Sequence, residues 1–251
     1  MLSKSLAQLV RSLHQKKYRQ QEGLFLVENA KSVQEVLASD FRVEWLLSTE
    51  AFYKENASLA DRQRCRVEMA TPDELTRAGT LESNNAAIAL VRMRPTAAAP
   101  PPTTGGWTLV LDDVRDPGNL GTILRIADWY GVGTLLCSET TADVYNPKVI
   151  SASKGSFTRI RWWYGDVAAV LRAAQVPVLG AFLDGDDVHH LNVSNATAGY
   201  VVMGNEANGI GPALEALVTQ RITIPRYGAA ESLNVGIATA VVLDNLRRLL
   251  T

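Results

Sequence analysis

Three short stretches of this chain combine residue types that chemistry uses and that simple turns do not need. The first, RDPGNLGTILRIADWYG, carries Asn119, Gly121 and Arg125. Asparagine can cap a helix and glycine lets backbone approach closely. The arginine falls in the second turn, so a capped helix with a solvated cation is the plain alternative. The second stretch, GNEANGIGP, holds three glycines and two asparagines in nine residues. Such a loop exposes N–H and C=O groups that suit an adenine or a ribose. It matches neither G-x-G-x-x-G nor the G-K-[ST] of a phosphate loop, so phosphate is not specifically indicated. Glu206 stands in its middle, where a turn has no need of a carboxylate. The third stretch is IPRYGAAESLNV. Ser232 reads as an N-cap, but Asn234 inside a first turn gains little and competes with the backbone. Two polar side chains opening an otherwise apolar helix point to a helix start that faces a site.

The elements around these stretches place them. Each follows a strand-like run, WTLVLDD, GYVVM or RITIPR, and each leads into a helix. VGTLLCS, FTRIRWWY and VPVLGAFLD add further apolar runs, alternating with helical patterns. Apolar strands alternating with helices predict a parallel sheet covered on both faces, with ligands at the carboxyl ends of its strands. Ahead of it, GLFLVEN, RVEWLLST, CRVEMA and NNAAIALVRM read as strands. Thr71, Pro72 and Glu74 read as a short capped helix. Residues 95–106, PTAAAPPPTTGG, hold four of the ten prolines and read as a linker. The expected division is a small α/β domain over 1–94, this linker, and an α/β domain over 107–251.

Composition limits the function classes. Of 251 residues, 47% are apolar and 20% charged, and the net charge is −1. A nucleic-acid partner would therefore meet a local patch, not a global field. Residues 1–20 supply one, with Lys4, Arg11, Lys16, Lys17 and Arg19 and no acid. Lys148, Lys154, Arg159 and Arg161 extend it, and Trp162, Trp163 and Tyr164 offer rings for stacking or for the core. The two cysteines, Cys65 and Cys137, are far apart in patterns that look buried, which favours a reducing compartment. No apolar run has signal-peptide or membrane-spanning length, so a cytoplasmic protein is expected. Ser151 and Lys154 match the S-x-x-K of serine acyl-enzymes without its partner motifs. The three histidines lack metal-site spacing, and no metal is expected.

Taken in order, N-L-G-T-I-L-R, G-N-E-A-N-G-I and I-P-R-Y…E-S-L-N-V resemble the three motifs of the SpoU/TrmH-type RNA ribose 2′-O-methyltransferases of the SPOUT superfamily. The N-terminal SLHQKKYRQQEGLFLVENAKSVQEVL is similar to the substrate-binding domain that precedes this catalytic domain in many members. Ala207-Asn208 departs from the glycine that often follows the motif glutamate. The resemblance implies a C-terminal trefoil knot, a homodimer and S-adenosylmethionine as methyl donor. It implies catalytic positions at Arg125 and Ser232, supported by Asn119, Glu206 and Asn234. It implies cofactor contacts at Gly204, Asn205, Ile224 and Leu233, with a loop over 181–185, near Ala181, closing the adenosine side. Lys16, Lys17 and Arg19 become candidate RNA contacts, ribosomal RNA being favoured over transfer RNA. Arg125 is read as proton acceptor or as a clamp on phosphate and forming alkoxide. A non-catalytic RNA-binding protein on the same scaffold is the alternative.

Overall fold

The structure is a computed structural model and describes residues 2–95, 106–193 and 196–250. It divides into two compact units. One is the chain through Pro95 together with Asp143–Thr158, and the other is the remainder. The segment 143–158, which the sequence reading places in the second domain, thus packs with the first. Of the linker expected over 95–106, residues 96–105 lie outside the described residues.

In the first unit the elements are α1 (Lys4–Ser12), α2 (Lys16–Glu22), β1 (Leu24–Glu28), α3 (Ala30–Ala38), β2 (Val43–Ser48), α4 (Glu50–Gln63), β3 (Arg66–Met69), α5 (Pro72–Ala78) and β4 (Ala87–Arg92). The sheet has the order β1-β4-β2-β3, with β4 antiparallel to β1 and β2, and β2 parallel to β3. Alternation along β1 separates two cores. Leu24 and Leu26 face a cluster with Leu6, Val10, Leu13 and Leu75. Phe25 meets Phe41 and Phe157 edge-on, with centroids 5.7 and 6.0 Å away. Phe157 comes from the inserted segment, which is how 143–158 becomes part of this unit. The capping box on α5 forms as read: Glu74 N–H donates to Thr71 Oγ1, and Thr71 N–H to Glu74 Oε2 at 2.9 Å.

The remaining elements are β5 (Trp107–Leu111), α6 (Pro117–Trp129), β6 (Thr134–Cys137), α7 (Pro147–Ser153, in the first unit), β7 (Arg161–Tyr164), α8 (Val167–Arg172), β8 (Val178–Asp187), β9 (Gly199–Met203), α9 (Pro212–Glu215), β10 (Gln220–Thr223) and α10 (Val235–Leu250). The second unit's sheet has the order β10-β8-β9-β5-β6-β7, and every pairing is parallel, as the alternating pattern predicts. Residues 181–185, expected as a loop, continue β8, which rejoins β10 after an irregularity through Ile222↔Asp186 and Thr223↔Asp187. The helices α6 and α10 run side by side in parallel. Asn119 meets Asn234 at their amino ends, and Tyr130 meets Asp244 and Arg247 at their carboxyl ends. Cys137 is fully buried, which pushes its thiol up to about 12, while Cys65 is half-buried, and both are free thiols. Among the described residues, no helix is long and apolar enough to cross a membrane.

Two basic residues read as RNA contacts are engaged by carboxylates of the protein itself. Arg19 is 2% exposed. Its guanidinium donates to the carbonyls of Leu13 and His14 and pairs with Asp143 at 2.7 Å. A buried guanidinium must be paired and hydrogen-bonded, so the cation read as an RNA contact serves the fold instead. Arg159, exposed at the surface, forms a bidentate pair with both carboxylate oxygens of Asp128, which neutralises it. Lys16 and Lys17, on α2, remain exposed. The Ser151/Lys154 pattern does not form a helical pair, because Lys154 ends α7 in the left-handed conformation. Replacing Arg19 by alanine leaves Asp143 as an uncompensated, largely buried charge. Arg19→Ala is therefore expected to lose roughly 3–5 kcal/mol in urea unfolding followed by circular dichroism.

Candidate active site

Local capping decides which side chains are free to do chemistry. Asp116, not Asn119, caps α6: its Oδ1 accepts the Asn119 N–H at 2.8 Å, and Pro117 takes the first helical position. Asn119 thereby keeps its whole side chain for other partners. At α10 the cap is Asn234, not Ser232. Its Oδ1 accepts the N–H groups of Gly236 at 2.9 Å and Ile237 at 3.3 Å. Asn234 is therefore not a misplaced first-turn residue, and Ser232 stands free two residues earlier.

These two shifts create a directional chain of hydrogen bonds. With its oxygen committed to α10, Asn234 presents Nδ2 outward, donating to Asn119 Oδ1 at 2.8 Å. Asn119 then has only Nδ2 left, which donates to Glu206 Oε1 at 2.6 Å. The last member must accept, and the carboxylate of the glycine-rich turn does so with a charge-assisted bond. All three sequence stretches meet in this chain. The amino ends of two helices, each partially positive, converge beside the carboxylate.

The loop that carries Glu206 is held from below. Asn205 pairs with Gly209 through both backbone groups, and its side chain bridges the Asp113 carbonyl and the Ala207 and Asn208 N–H groups. Asn205, read as a cofactor contact, thus has its polar groups engaged in shaping the loop. A Cβ at Gly204 would sit 2.2 Å from the Gly209 carbonyl carbon, so only glycine fits there. Asp112 accepts the Gly211 N–H at 2.7 Å. Asp113 adopts a left-handed φ of 60°, uncommon for a residue with a side chain. Its N–H donates to Ser138 Oγ, and the Arg115 guanidinium beside it holds its carboxyl below the usual range. Sequence reading passed over Asp112 and Asp113, although their place at the end of an apolar strand marks a carboxyl-end corner.

Other expected site residues lie around this chain. Arg125 is exposed on α6, about 9 Å along the helix from Asn119. Ser232 and Leu233 are exposed in the segment ahead of α10. Among the described residues, Arg125 and Ser232 make no hydrogen bond or ion pair, with each other or with any neighbour. The backbone N–H groups of Gly204, Ile224 and Leu233 likewise have no partner among the described residues. Open donors in the segments that follow β9 and β10 suit a ligand rich in acceptors. Ala181 is half-buried within β8. Among the described residues, no group of three or more His, Cys, Asp or Glu side chains is placed to hold a metal ion.

Residues 106–244 match the family model described as SpoU rRNA Methylase family. The chain belongs to the SpoU rRNA methylase family. The resemblance carried by the three motifs is thus confirmed, and residues 6–86 match the MRM3-like substrate binding domain. Among its SpoU relatives, the chain is 29% identical to the 23S rRNA (guanosine(2553)-2′-O)-methyltransferase RlmP of Bacillus subtilis (strain 168), over 94% of both chains. A solved TrmH-family structure from Porphyromonas gingivalis is 37% identical, with 99% of each chain covered and a TM-score of 0.87. The AdoMet-bound rRNA methyltransferase from Sinorhizobium meliloti is 27% identical, with 100% of this chain and 97% of that one covered and a TM-score of 0.89. In this SpoU protein, replacing Asn119 by aspartate sets two carboxylates face to face. Like charge raises a folded-state carboxyl pKa. The resulting penalty is present above that raised pKa and fades as pH falls through it. Asn119→Asp is expected to melt about 2–4 °C below wild type at pH 8 and to approach it near pH 4, by calorimetry at both pH values.

Proposed function

We propose that this chain is an RNA 2′-O-methyltransferase, using S-adenosylmethionine to modify a ribose hydroxyl, with ribosomal RNA favoured over transfer RNA. The hydrogen-bonded chain Asn234–Asn119–Glu206 carries this reading, because it assembles the three motif loops at the carboxyl ends of one parallel sheet. The rRNA preference is supported by the family's description and by a relative named for 23S rRNA that matches along nearly the whole chain.

The unpaired N–H groups of Gly204, Ile224 and Leu233 are the groups that would hold the cofactor. S-adenosylmethionine, when bound, supplies a methyl group already activated on a sulfonium. What the chain must add is alignment and charge control. Holding reactants in line supplies about 7–11 kcal/mol in favourable cases. Arg125 is exposed and unpaired, as a residue awaiting a substrate phosphate would be. A guanidinium is not deprotonated in proteins, so its role is a clamp on phosphate and a stabiliser of the developing alkoxide, not a base. Ser232 offers a free hydroxyl in the same region of motif loops. Lys16 and Lys17 supply exposed positive charge for the RNA backbone.

The reading includes a trefoil knot and a homodimer. The knot is supported by the path of the chain from β10, at one edge of the sheet, back to α10 beside α6. The homodimer is supported by Trp129 on α6 and Ile237 on α10, 83% and 56% exposed. Leu243, on the same helix, is in the core at 1% and takes no part in that face. Two free thiols support a reducing, cytoplasmic setting.

Incubation with labelled S-adenosylmethionine and total RNA is expected to label ribosomal RNA at a ribose resistant to alkaline cleavage. Cofactor binding in calorimetry without any transfer would sink the catalytic reading. Arg125→Lys is expected to lose at least about tenfold in kcat, since an ammonium cannot reproduce the planar fork. Ile237→Asp is expected to shift the sedimentation coefficient from dimer to monomer.

A further inference from the structure

We propose that Tyr227 contacts the RNA substrate, its ring stacking on an unpaired base beside the nucleotide that is methylated. The proposal rests on the methyltransferase reading above. The segment between β10 and α10 is fixed at both ends. At one end β10 pairs with β8. At the other, Asn234 caps α10 and bonds to Asn119. Between them, residues 226–234 are all exposed. Arg226 Nη1 donates to the Ala230 carbonyl at 3.4 Å, which spans residues 227–229 and so includes Tyr227 in the turn.

Nothing in the fold accounts for this ring. Tyr227 is 90% exposed, more than Trp129 at 83% or Leu183 at 80%. Among the described residues it makes no hydrogen bond or ring contact. An aromatic ring held in water gains nothing from burial until something covers it. Four residues, 228–231, separate it from Ser232, so over five steps of chain the two lie within about 18 Å at full extension. Unstacked bases of single-stranded RNA bind on aromatic faces, and such stacking tolerates any base because each has a π-face. Arg226, exposed beside the ring, keeps further N–H donors for a neighbouring phosphate. An aromatic ring and a guanidinium side by side on the loop that carries Ser232 match a nucleotide better than either residue alone.

The test compares full-length wild type, Tyr227→Ala and Tyr227→Phe. Ribosomal RNA fragments are titrated by filter binding at fixed salt, with S-adenosylmethionine affinity by calorimetry and oligomeric state by sedimentation. Tyr227→Ala is expected to weaken RNA binding, and to raise the RNA KM rather than lower kcat, by roughly five- to a hundredfold, the loss of one stacked base. Tyr227→Phe keeps the π-face and is expected to match wild type. RNA binding by Tyr227→Ala equal to wild type would overturn the proposal. So would an equal loss in Tyr227→Phe, which would assign the effect to the hydroxyl. A change in oligomeric state or cofactor affinity accompanying the loss would also overturn it, placing the ring against a second copy or the cofactor. RNA binding is read without turnover, so a wild type that binds RNA but transfers no methyl group sinks the methyltransferase reading and still decides Tyr227.

Discussion

The hydrogen-bond polarity of two asparagines organises the site. Asn234 must turn its oxygen towards the open N–H groups of α10, and that choice propagates. Its amide nitrogen then needs an acceptor, Asn119 supplies one, and the Asn119 nitrogen needs another. A chain of this kind must end on an acceptor, and the Glu206 carboxylate, which accepts without donating, fills that place. Reversing any amide would leave two donors or two acceptors facing each other. The chain thus fixes side-chain orientation as well as position, and it links residues 87 and 115 places apart in sequence. Arg125 and Ser232 are not members of it. Ser232 stays free because Asn234 performs the capping it would otherwise provide, and Arg125 stays free on the exposed face of α6.

Support for the chain comes from the ends of parallel strands. In a parallel sheet the carboxyl ends of the strands share one edge, so loops from distant parts of the chain gather there. Asp112 and Asp113 leave β5 at that edge and brace the turn after β9 through Gly211 and Asn205. The left-handed backbone at Asp113 stores modest strain of the kind found beside functional sites, held in place by Ser138 and Arg115. Asn205 illustrates a division of labour between neighbours: it shapes the turn, so that Glu206 beside it can face the site. The same turn leaves the Gly204 N–H open, while Ile224 and Leu233 contribute open donors from the final segment.

In the first unit the governing fact is a buried cation. Arg19 belongs to a sequence stretch rich in positive charge, yet its neighbours Lys16 and Lys17 are exposed and it is not. Two carbonyls and Asp143 satisfy most of its donors. Asp143 and Phe157 come from a segment that lies far along the chain, and together they supply a counter-ion and an aromatic wall. Net charge and patch counting cannot separate such a residue from a solvated one, because burial is a property of the packed unit.

Much of this protein was legible in its sequence. Alternation of apolar runs with helical periods determined the parallel sheet, since a strand buried on both faces must be apolar throughout. The box at Thr71 and Glu74 was readable because capping is local. The three motif stretches carried the family and most of the candidate site, Glu206 standing out because a turn does not need it. Asp116-Pro117 was a local signal too, and reading it would have released Asn119 from the capping role. Other features depended on long-range packing. The continuation of β8 through residues 181–185 rests on pairing with β10, which a run containing Asp184 and Gly185 does not announce. The pairing of Arg19 with Asp143, the membership of 143–158 in the first unit and the direction of the Asn234–Asn119–Glu206 chain are tertiary facts. The sequence by itself determined which residue types were available and which local structures they favour. Only the tertiary structure decided which donors met which acceptors, because hydrogen bonds are settled by positions in space that no local spacing encodes.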